Sequence, residues 1–132
     1  MTIVAPPGWA PPRGYANGVS ATGRLVFVAG QIGWNAAQQF ESDDFVAQAA
    51  QALANIAEVL RAADARPEHV VRLTWYVVDK REYVASLAAL AGPYRAVMGR
   101  HYPAMTAVEV KALIEDRARV EIEATAVVPP AG

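Results

Sequence analysis

The spacing of apolar residues changes several times along this chain, and these changes restrict its fold more than any other feature. Between residues 45 and 63 apolar side chains recur every three or four positions, as in an amphipathic helix, and a second such stretch follows residue 79. In residues 70–78, 102–110 and 119–128 they alternate with a period of two, as in β-strands. A helix with one apolar stripe buries it against a sheet, so the sequence predicts an α+β fold with two helices on one face of a sheet.

Two further strands are predicted before the first helix. Residues 15–21 and 24–34 are strand-like and are separated by a break at Thr22 and Gly23, which predicts a hairpin. Residues 25–29 are apolar on both faces, so this strand is expected to be central in the sheet. The complete predicted order is β-β-α-β-α-β-β.

Capping residues and prolines mark where the other elements begin and end. Ser42, Asp43 and Asp44 supply a cap and negative charge at the start of the first helix. Gly92 and Pro93 predict a kink or a break in the second helix. The proline-rich residues 1–14 are predicted to form an extended arm outside helices and sheet, and residues 15–132 a single domain.

The composition predicts that the chain associates with copies of itself. Hydrophobic residues make up 54% and charged residues 19% of the sequence, whereas about 45–50% and about 25% are usual. A domain of this size has a large surface relative to its volume and should be more polar than average if it were monomeric. The apolar excess therefore predicts a subunit interface.

The charge pattern and the N-terminus argue against several functional classes. The sequence has twelve Lys and Arg residues and thirteen Asp and Glu residues, which give a net charge of -1, and it has no basic stripe. A nucleic-acid partner is therefore not expected. The N-terminus lacks the basic and apolar regions of a secretory signal, and no apolar run approaches the length of a membrane span. We therefore expect a cytoplasmic protein without a membrane partner.

Neither a metal site nor a cofactor site is predicted. The sequence has no cysteine, which excludes thiolate ligands, thiol nucleophiles and disulfides. His69 and His101 are far apart in the chain and no carboxylate cluster accompanies them, so both are expected at the surface. The segment from Gly30 to Gly33 lacks the spacing and the Lys and Ser residues of a phosphate-binding loop.

Three acidic residues on predicted strands are candidates for chemistry. Glu121 and Glu123 share one face of the last strand and could perform acid–base work if partly desolvated, or could form a solvated charge ladder with Arg119. Glu109 interrupts an otherwise apolar strand and is expected to accept hydrogen bonds or to face an interface. The aromatic residues that either line a ligand cleft or fill the core are Tyr15, Phe27, Trp34, Trp75 and Tyr83.

A series of motifs between residues 15 and 128 resembles the RidA/YjgF family of enamine/imine deaminases, also labelled endoribonuclease L-PSP. The motifs are VFVAGQIGW (26–34), Gln51-x-x-x-Asn55-Ile56, Val71-x-Leu73-Thr74-x-Tyr76-Val77-x-Asp79, Tyr102-Pro103-Ala104 with Val108-Glu109-Val110, and Glu121-Ile122-Glu123-Ala124. The resemblance implies a chorismate-mutase-like fold. It also implies a homotrimer whose sheets form a central barrel, with small-molecule clefts between neighbouring subunits.

The resemblance also implies functional residues. Glu121 would be catalytic, because the aligned family glutamate positions the attacking water. The substrate-binding residues would be Tyr15, Gly30, Gln31, Trp34, Leu87, Met105 and Thr106.

Two of these positions depart from the deaminases. In deaminating members an arginine follows the Pro-Ala pair and binds the carboxylate of a 2-imino acid through a bidentate fork, but Met105 stands there in this chain. Leu87 replaces a pocket-side asparagine and makes the site more apolar. The sequence leaves open whether Arg95 or Arg100 takes over the role of the missing arginine.

The leading hypothesis is an arginine-lacking member of the family. It would bind a metabolite that is less acidic than 2-iminopropanoate and hydrolyse an enamine or imine. The alternative is a non-catalytic ligand-binding or interaction protein. These hypotheses differ in whether Glu121 is accessible in a cleft or locked to Arg119. The ribonuclease activity suggested by the older label is not expected, because the chain has no basic excess.

Overall fold

The structure, a computed structural model that describes residues 1–131, contains two sheets of different size. The smaller sheet pairs β1 (Thr2–Val4) with β2 (Gly18–Ser20) in antiparallel orientation. The larger sheet has the order β3-β6-β4-β5, in which only β4 and β5 run parallel. Its strands are β3 (Arg24–Ile32), β4 (Val70–Val77), β5 (Ala104–Glu109) and β6 (Val120–Val128).

The helices lie together on one face of the larger sheet. They are α1 (Phe45–Ala62), α2 (Lys80–Ala85) and α3 (Leu87–Met98), with a short 3-10 helix (Pro67–His69) before β4. α1 packs against α3 and against β3 and β6. The core between these layers includes Leu53 and Ile56 of α1 with Leu73 of β4 and Ile122 of β6, all fully buried. This arrangement confirms the predicted α+β class with helices on one face.

The start of α1 follows its predicted capping chemistry. Asp44 is the N-cap, and its Oδ2 accepts a hydrogen bond from the Ala47 N–H at 2.9 Å. Ser42 Oγ in turn accepts from the Asp44 N–H at 3.0 Å, which fixes the approach to the helix.

The interruption in the second helical segment lies at Ser86, so the prediction of a break at Gly92 and Pro93 is wrong. The chain keeps a helical path through Ser86, which donates to Glu82 O and accepts from the Leu90 N–H. Pro93 lies inside α3. A proline there deprives the carbonyl four residues earlier of its donor. That residue is Ala89, which is exposed, so water can replace the missing donor.

The N-terminal predictions need three corrections. Residues 2–4 form β1, so the first fourteen residues are not entirely outside the sheets. The predicted hairpin is absent from residues 1–131, because β2 pairs with β1 while β3 pairs with β6. β3 is an edge strand rather than a central one, and its second apolar face, with Leu25 57% and Phe27 74% exposed, is open in the single chain.

One buried polar side chain joins α1 to the chain entering β6. Gln48 is 1% exposed, and its Nε2 donates to Ser42 O and Arg117 O, both at 3.0 Å. Its Oε1 accepts from the Arg119 N–H at 2.8 Å. The side chain therefore satisfies three backbone groups that the core would otherwise leave unpaired.

We expect Gln48→Ala to lower the free energy of unfolding by about 2 kcal/mol, since it leaves these backbone groups without partners. Gln51→Ala is the matched control, because Gln51 lies on the same helix and donates only to Asn55 Oδ1. Denaturant unfolding followed by circular dichroism measures both changes. Equal losses in the two variants would contradict the role assigned to Gln48.

Candidate functional site

Glu121 lies against the backbone of Gly30 on the sheet face that the helices do not cover. A Cβ atom placed on Gly30 would fall 2.0 Å from Glu121 Oε2, so a larger residue at this position would displace the carboxylate. The close approach results from an irregularity in the pairing of β3 with β6 between Val28 and Gln31. Glycine at position 30 therefore leaves room for the Glu121 carboxylate beside the backbone.

Arg119 does not hold Glu121 in a charge ladder. Its guanidinium donates to Glu82 through two of its three nitrogens, with Nε–Oε1 at 3.0 Å and Nη2–Oε2 at 2.6 Å. Hydrogen bonding to Glu82 is the main cause that raises the pKa of Arg119. The proposed ladder of Arg119 with Glu121 and Glu123 is therefore wrong, and the half-buried Glu121 carboxylate is not tied to that arginine.

Glu123, two residues further along the same face, has a different partner. Its Oε1 accepts from the Tyr76 hydroxyl at 2.7 Å. This bond, burial, and the negative charges of Glu123 and Glu121 raise the pKa of Tyr76. The two carboxylates of β6 thus have distinct surroundings, one bound to a phenol and the other beside a glycine backbone.

The Glu109 side chain binds the backbone at the start of α2. Its Oε1 accepts from the Lys80 N–H at 2.9 Å, at the first residue of α2. The expectation that Glu109 accepts hydrogen bonds is confirmed, but its side chain is exposed rather than buried. It contributes a second carboxylate at the N-terminus of α2, next to the N-cap Asp79.

Met105 and Leu87 line one cavity of about 400 Å³ on the helix side of the sheet. The cavity lies between α2 and α3 on one side and β4 and β5 on the other. Its lining residues are almost all apolar or aromatic: Gly14, Trp75, Tyr83, Leu87, Leu90, Ala91, Tyr94, Tyr102 and Met105. Arg95 and Arg100 are not among them, so within residues 1–131 neither of these two arginines lines this cavity.

Two of the tyrosines in this cavity are held in un-ionised form. Burial raises the pKa of Tyr83, and burial together with the proximity of the Tyr102 phenol raises the pKa of Tyr94. The Tyr94 hydroxyl donates to His101 O at 2.6 Å, and its ring stacks on Tyr102 with centroids 5.3 Å apart. The cavity wall is therefore aromatic and uncharged.

Met105 and Glu121 project from opposite faces of the sheet. Met105 pairs with Leu73, whose side chain is buried beneath the helices, whereas Glu121 pairs with Tyr76 on the same strand β4. Residues three apart on a strand point to opposite faces. One chain therefore does not bring the two side chains together.

The other predicted site residues are distributed between these regions. Tyr15 lies beside the mouth of the cavity, since Gly14 lines it and the Ala16 N–H donates to Pro103 O. Thr106 pairs with Thr74 and belongs to the face that carries Glu121. Gln31 donates back to Ala29 O.

Trp34 lies away from the cavity. Its ring contacts Phe40 in the loop after β3, with centroids 5.9 Å apart, and its carbonyl accepts from Asn55 Nδ2. This packing gives Trp34 a role in fixing the loop, and the structure does not place it with Met105.

Tyr94 and Tyr102 were not predicted as site residues from the sequence. Tyr94 follows Leu87 and Leu90 at helical spacing, and Tyr102 directly precedes Pro103. The spacing indicates that Tyr94 shares a helix face with Leu87 and Leu90, but the stacking of the two rings depends on how α3 packs near the start of β5.

Within residues 1–131 no three His, Asp or Glu side chains are grouped as for a metal ion. No helix in that range has both the length and the apolarity to cross a membrane.

Comparison with known proteins gives consistent matches. The family profile described as Endoribonuclease L-PSP matches residues 5–128. A goat (Capra hircus) 2-iminobutanoate/2-iminopropanoate deaminase is 35% identical over 81% of this chain and 75% of that protein. The Escherichia coli K12 protein of the same name is 33% identical over 86% of each chain.

Solved structures match over nearly the full length. A Yersinia pestis protein of unknown function from the Rid family has 38% identity and a TM-score of 0.84, covering 96% of this chain and 98% of that one. RidA from an Antarctic Psychrobacter has 29% identity and a TM-score of 0.69, covering 97% of both chains. Of these two, the protein without an assigned function is the more similar in both measures.

Proposed function

Because the chain belongs to the endoribonuclease L-PSP family, also called RidA/YjgF, we propose that it hydrolyses the C=N bond of a neutral imine, or of the imine that a neutral enamine forms by tautomerisation. The reaction takes place in clefts between the subunits of a homotrimer. Water adds to the imine carbon, and the carbinolamine that results breaks down to a carbonyl compound and ammonia. The protein is an arginine-lacking member, and its substrate carries no carboxylate next to the C=N bond.

The Glu121 carboxylate beside Gly30 is the observation that supports the chemistry. It is half-buried, it is not bound to Arg119, and it lies beside backbone that can approach a ligand closely. A carboxylate in this state can orient a water molecule and take its proton as the water attacks. The relatives named 2-iminobutanoate/2-iminopropanoate deaminase support this class of reaction.

The apolar cavity around Met105 supports the choice of substrate. A carboxylate buried there would lose its hydration without gaining a counter-charge, because no lining residue is basic. A neutral substrate avoids this cost and gains from contact with the aromatic walls.

The opposite placement of Met105 and Glu121 supports a site shared between two subunits. A ligand that contacts both residues needs the Met105 cavity of one chain and the Glu121 face of its neighbour. The exposed Leu25 and Phe27 on the Glu121 face provide apolar surface for that contact.

The same separation supports a second candidate function, non-catalytic binding. The cavity alone has the size and the apolar lining of a small-molecule site and does not include Glu121. A protein that used only this cavity would bind a ligand without chemical change.

The decisive experiment compares methyl 2-iminopropanoate with 2-iminopropanoate, both generated in situ, as substrates of the native protein. We expect the ester to be hydrolysed faster than its own spontaneous rate and the acid not to be. Glu121→Gln should lower kcat for the ester about 10²-fold, since it removes the general base. Glu123→Gln is the matched control, because Glu123 is engaged with Tyr76. If the native protein accelerates neither reaction, the binding function replaces the catalytic one.

A further inference from the structure

Tyr76 lies directly opposite Glu121 on the face of the sheet that the helices leave open. The two residues are partners in the register of β4 with β6. Their neighbours in sequence, Trp75, Val77 and Ile122, are buried beneath the helices, so Tyr76 and Glu121 both point to the open face. The Cβ atoms of directly opposed residues are about 5 Å apart. A small molecule that contacts the Glu121 carboxylate can therefore also contact the Tyr76 phenol.

The Tyr76 hydroxyl is available to such a molecule only as a hydrogen-bond acceptor. Its single hydrogen is donated to Glu123 Oε1 at 2.7 Å. This hydrogen bond, burial, and the negative charges of Glu123 and Glu121 raise the pKa of Tyr76, so the phenol keeps its hydrogen at neutral pH. The lone pairs of the phenol oxygen remain free, and they require a donor from the ligand.

An imine with an unsubstituted nitrogen carries such a donor next to the carbon that water attacks. As the water oxygen bonds to this carbon, Glu121 takes one proton from the water and passes it to the nitrogen, which gives the carbinolamine. Glu121 then moves the hydroxyl proton to the nitrogen, the C–N bond breaks, and ammonia leaves a carbonyl group behind. The nitrogen gains hydrogens and positive charge along this path, so its hydrogen bond to the phenol oxygen strengthens toward the transition state.

We propose that Tyr76 is a substrate-binding residue that accepts a hydrogen bond from the imine N–H and thereby selects imines with an unsubstituted nitrogen. The inference rests on the proposed function, because it identifies the group that holds the nitrogen while Glu121 acts on the water. An imine with an alkyl group on its nitrogen has no N–H. Its nitrogen lone pair would face the lone pairs of the phenol oxygen, which is unfavourable.

The experiment compares methyl 2-iminopropanoate with its N-methyl analogue, both generated in situ, as substrates of the native protein and of Tyr76→Phe. For the native protein we expect a kcat about tenfold higher with the N–H imine, the effect of one hydrogen bond. Tyr76→Phe removes only the phenol oxygen, so it should lower kcat for the N–H imine about tenfold and change KM little. It should hydrolyse the N-methyl imine at least as fast as the native protein does.

Two further variants serve as controls. Thr74→Val changes the same strand and face two residues earlier, and it should keep the native preference for the N–H imine. Glu123→Gln should keep this preference as well, because the glutamine side-chain oxygen can still accept from the Tyr76 hydroxyl.

The role of Tyr76 is rejected by any of three results for Tyr76→Phe. These are a native kcat for the N–H imine, a loss by the same factor for both imines, or no acceleration of the N-methyl imine. In each case the native protein is active and the proposed hydrolysis stands. If the native protein does not accelerate hydrolysis of the N–H imine, the proposed function and the role of Tyr76 are both rejected.

Discussion

Met105→Arg is expected to raise kcat/KM for 2-iminopropanoate by about 10³-fold over the native chain. The guanidinium would enter the Met105 cavity and bind the substrate carboxylate through two charge-assisted hydrogen bonds. Each such bond contributes about 1.5–3 kcal/mol. Two of them, at about 4 kcal/mol together, correspond to about 10³ in rate at 1.4 kcal/mol per factor of ten. The measurement is the disappearance of 2-iminopropanoate generated in situ.

Met105→Gln is the matched control for this gain. Glutamine has a similar length and a polar end but no charge, so we expect it to yield much less activity than arginine. Rapid hydrolysis of 2-iminopropanoate by the native protein would show that another residue binds the acid, and our interpretation of Met105 would be wrong.

Subunit mixing extends the same measurement to the shared site. The double variant Met105→Arg, Glu121→Gln and the native chain should each be far less active toward 2-iminopropanoate than the single variant Met105→Arg. Co-expressed with different tags and purified as mixed oligomers, they should regain activity, because one chain supplies the guanidinium and the other the carboxylate. Mixed oligomers without activity would place both residues of a site in one chain.

Gly33→Ala is expected to lower the free energy of unfolding by about 3 kcal/mol, the upper end of what overpacking typically costs. A Cβ on Gly33 would lie 2.5 Å from Gln48 Cβ and 2.7 Å from Gln48 Cα. The second contact involves the backbone of α1, which cannot move aside as a flexible side chain can. The added methyl group must therefore push α1 away from β3, and denaturant unfolding at fixed protein concentration measures the loss.

Gly92→Ala provides a control without such a clash. Apart from its chain neighbours and the backbone of its own helix, no atom lies within 4 Å of a Cβ at this position, and Gly92 is an exposed residue inside α3. Alanine favours the helix, whereas the ring of Pro93 disfavours a Cβ on the residue before it, so the free energy of unfolding should change by less than about 1 kcal/mol. A loss of stability similar to that of Gly33→Ala would indicate that any larger residue, rather than the contact with α1, is harmful.

The elements that were predicted well are those whose signals are local. The cap at Asp44 and the alternation along β6 each involve neighbouring residues, and both are present as expected. Strand pairing was predicted less well, because it depends on distant partners. The turn signal at Thr22 and Gly23 predicts a hairpin, but β3 pairs with β6, about a hundred residues later in the chain.

The candidate site was predictable in part for the same reason. The resemblance to the RidA/YjgF family implies that Met105 and Leu87 belong to one site, and both residues line one cavity. The buried indole N–H of Trp75, which has no hydrogen-bond partner within residues 1–131, could not be predicted, since it depends on which side chains pack around it. Nor could the opposite orientation of Met105 and Glu121 be predicted without the pairing of β4 with both β5 and β6.

The single sheet layer between Met105 and Glu121 has an evolutionary consequence. Substitutions around the Met105 cavity alter packing among α2, α3 and β5, whereas Glu121 rests on β3 at Gly30. Each set of residues can therefore mutate without disturbing the geometry of the other. Under the proposed function, a duplicated gene could exchange the residues around Met105 while the Glu121 carboxylate stays in place, so new specificities would arise through few mutational steps.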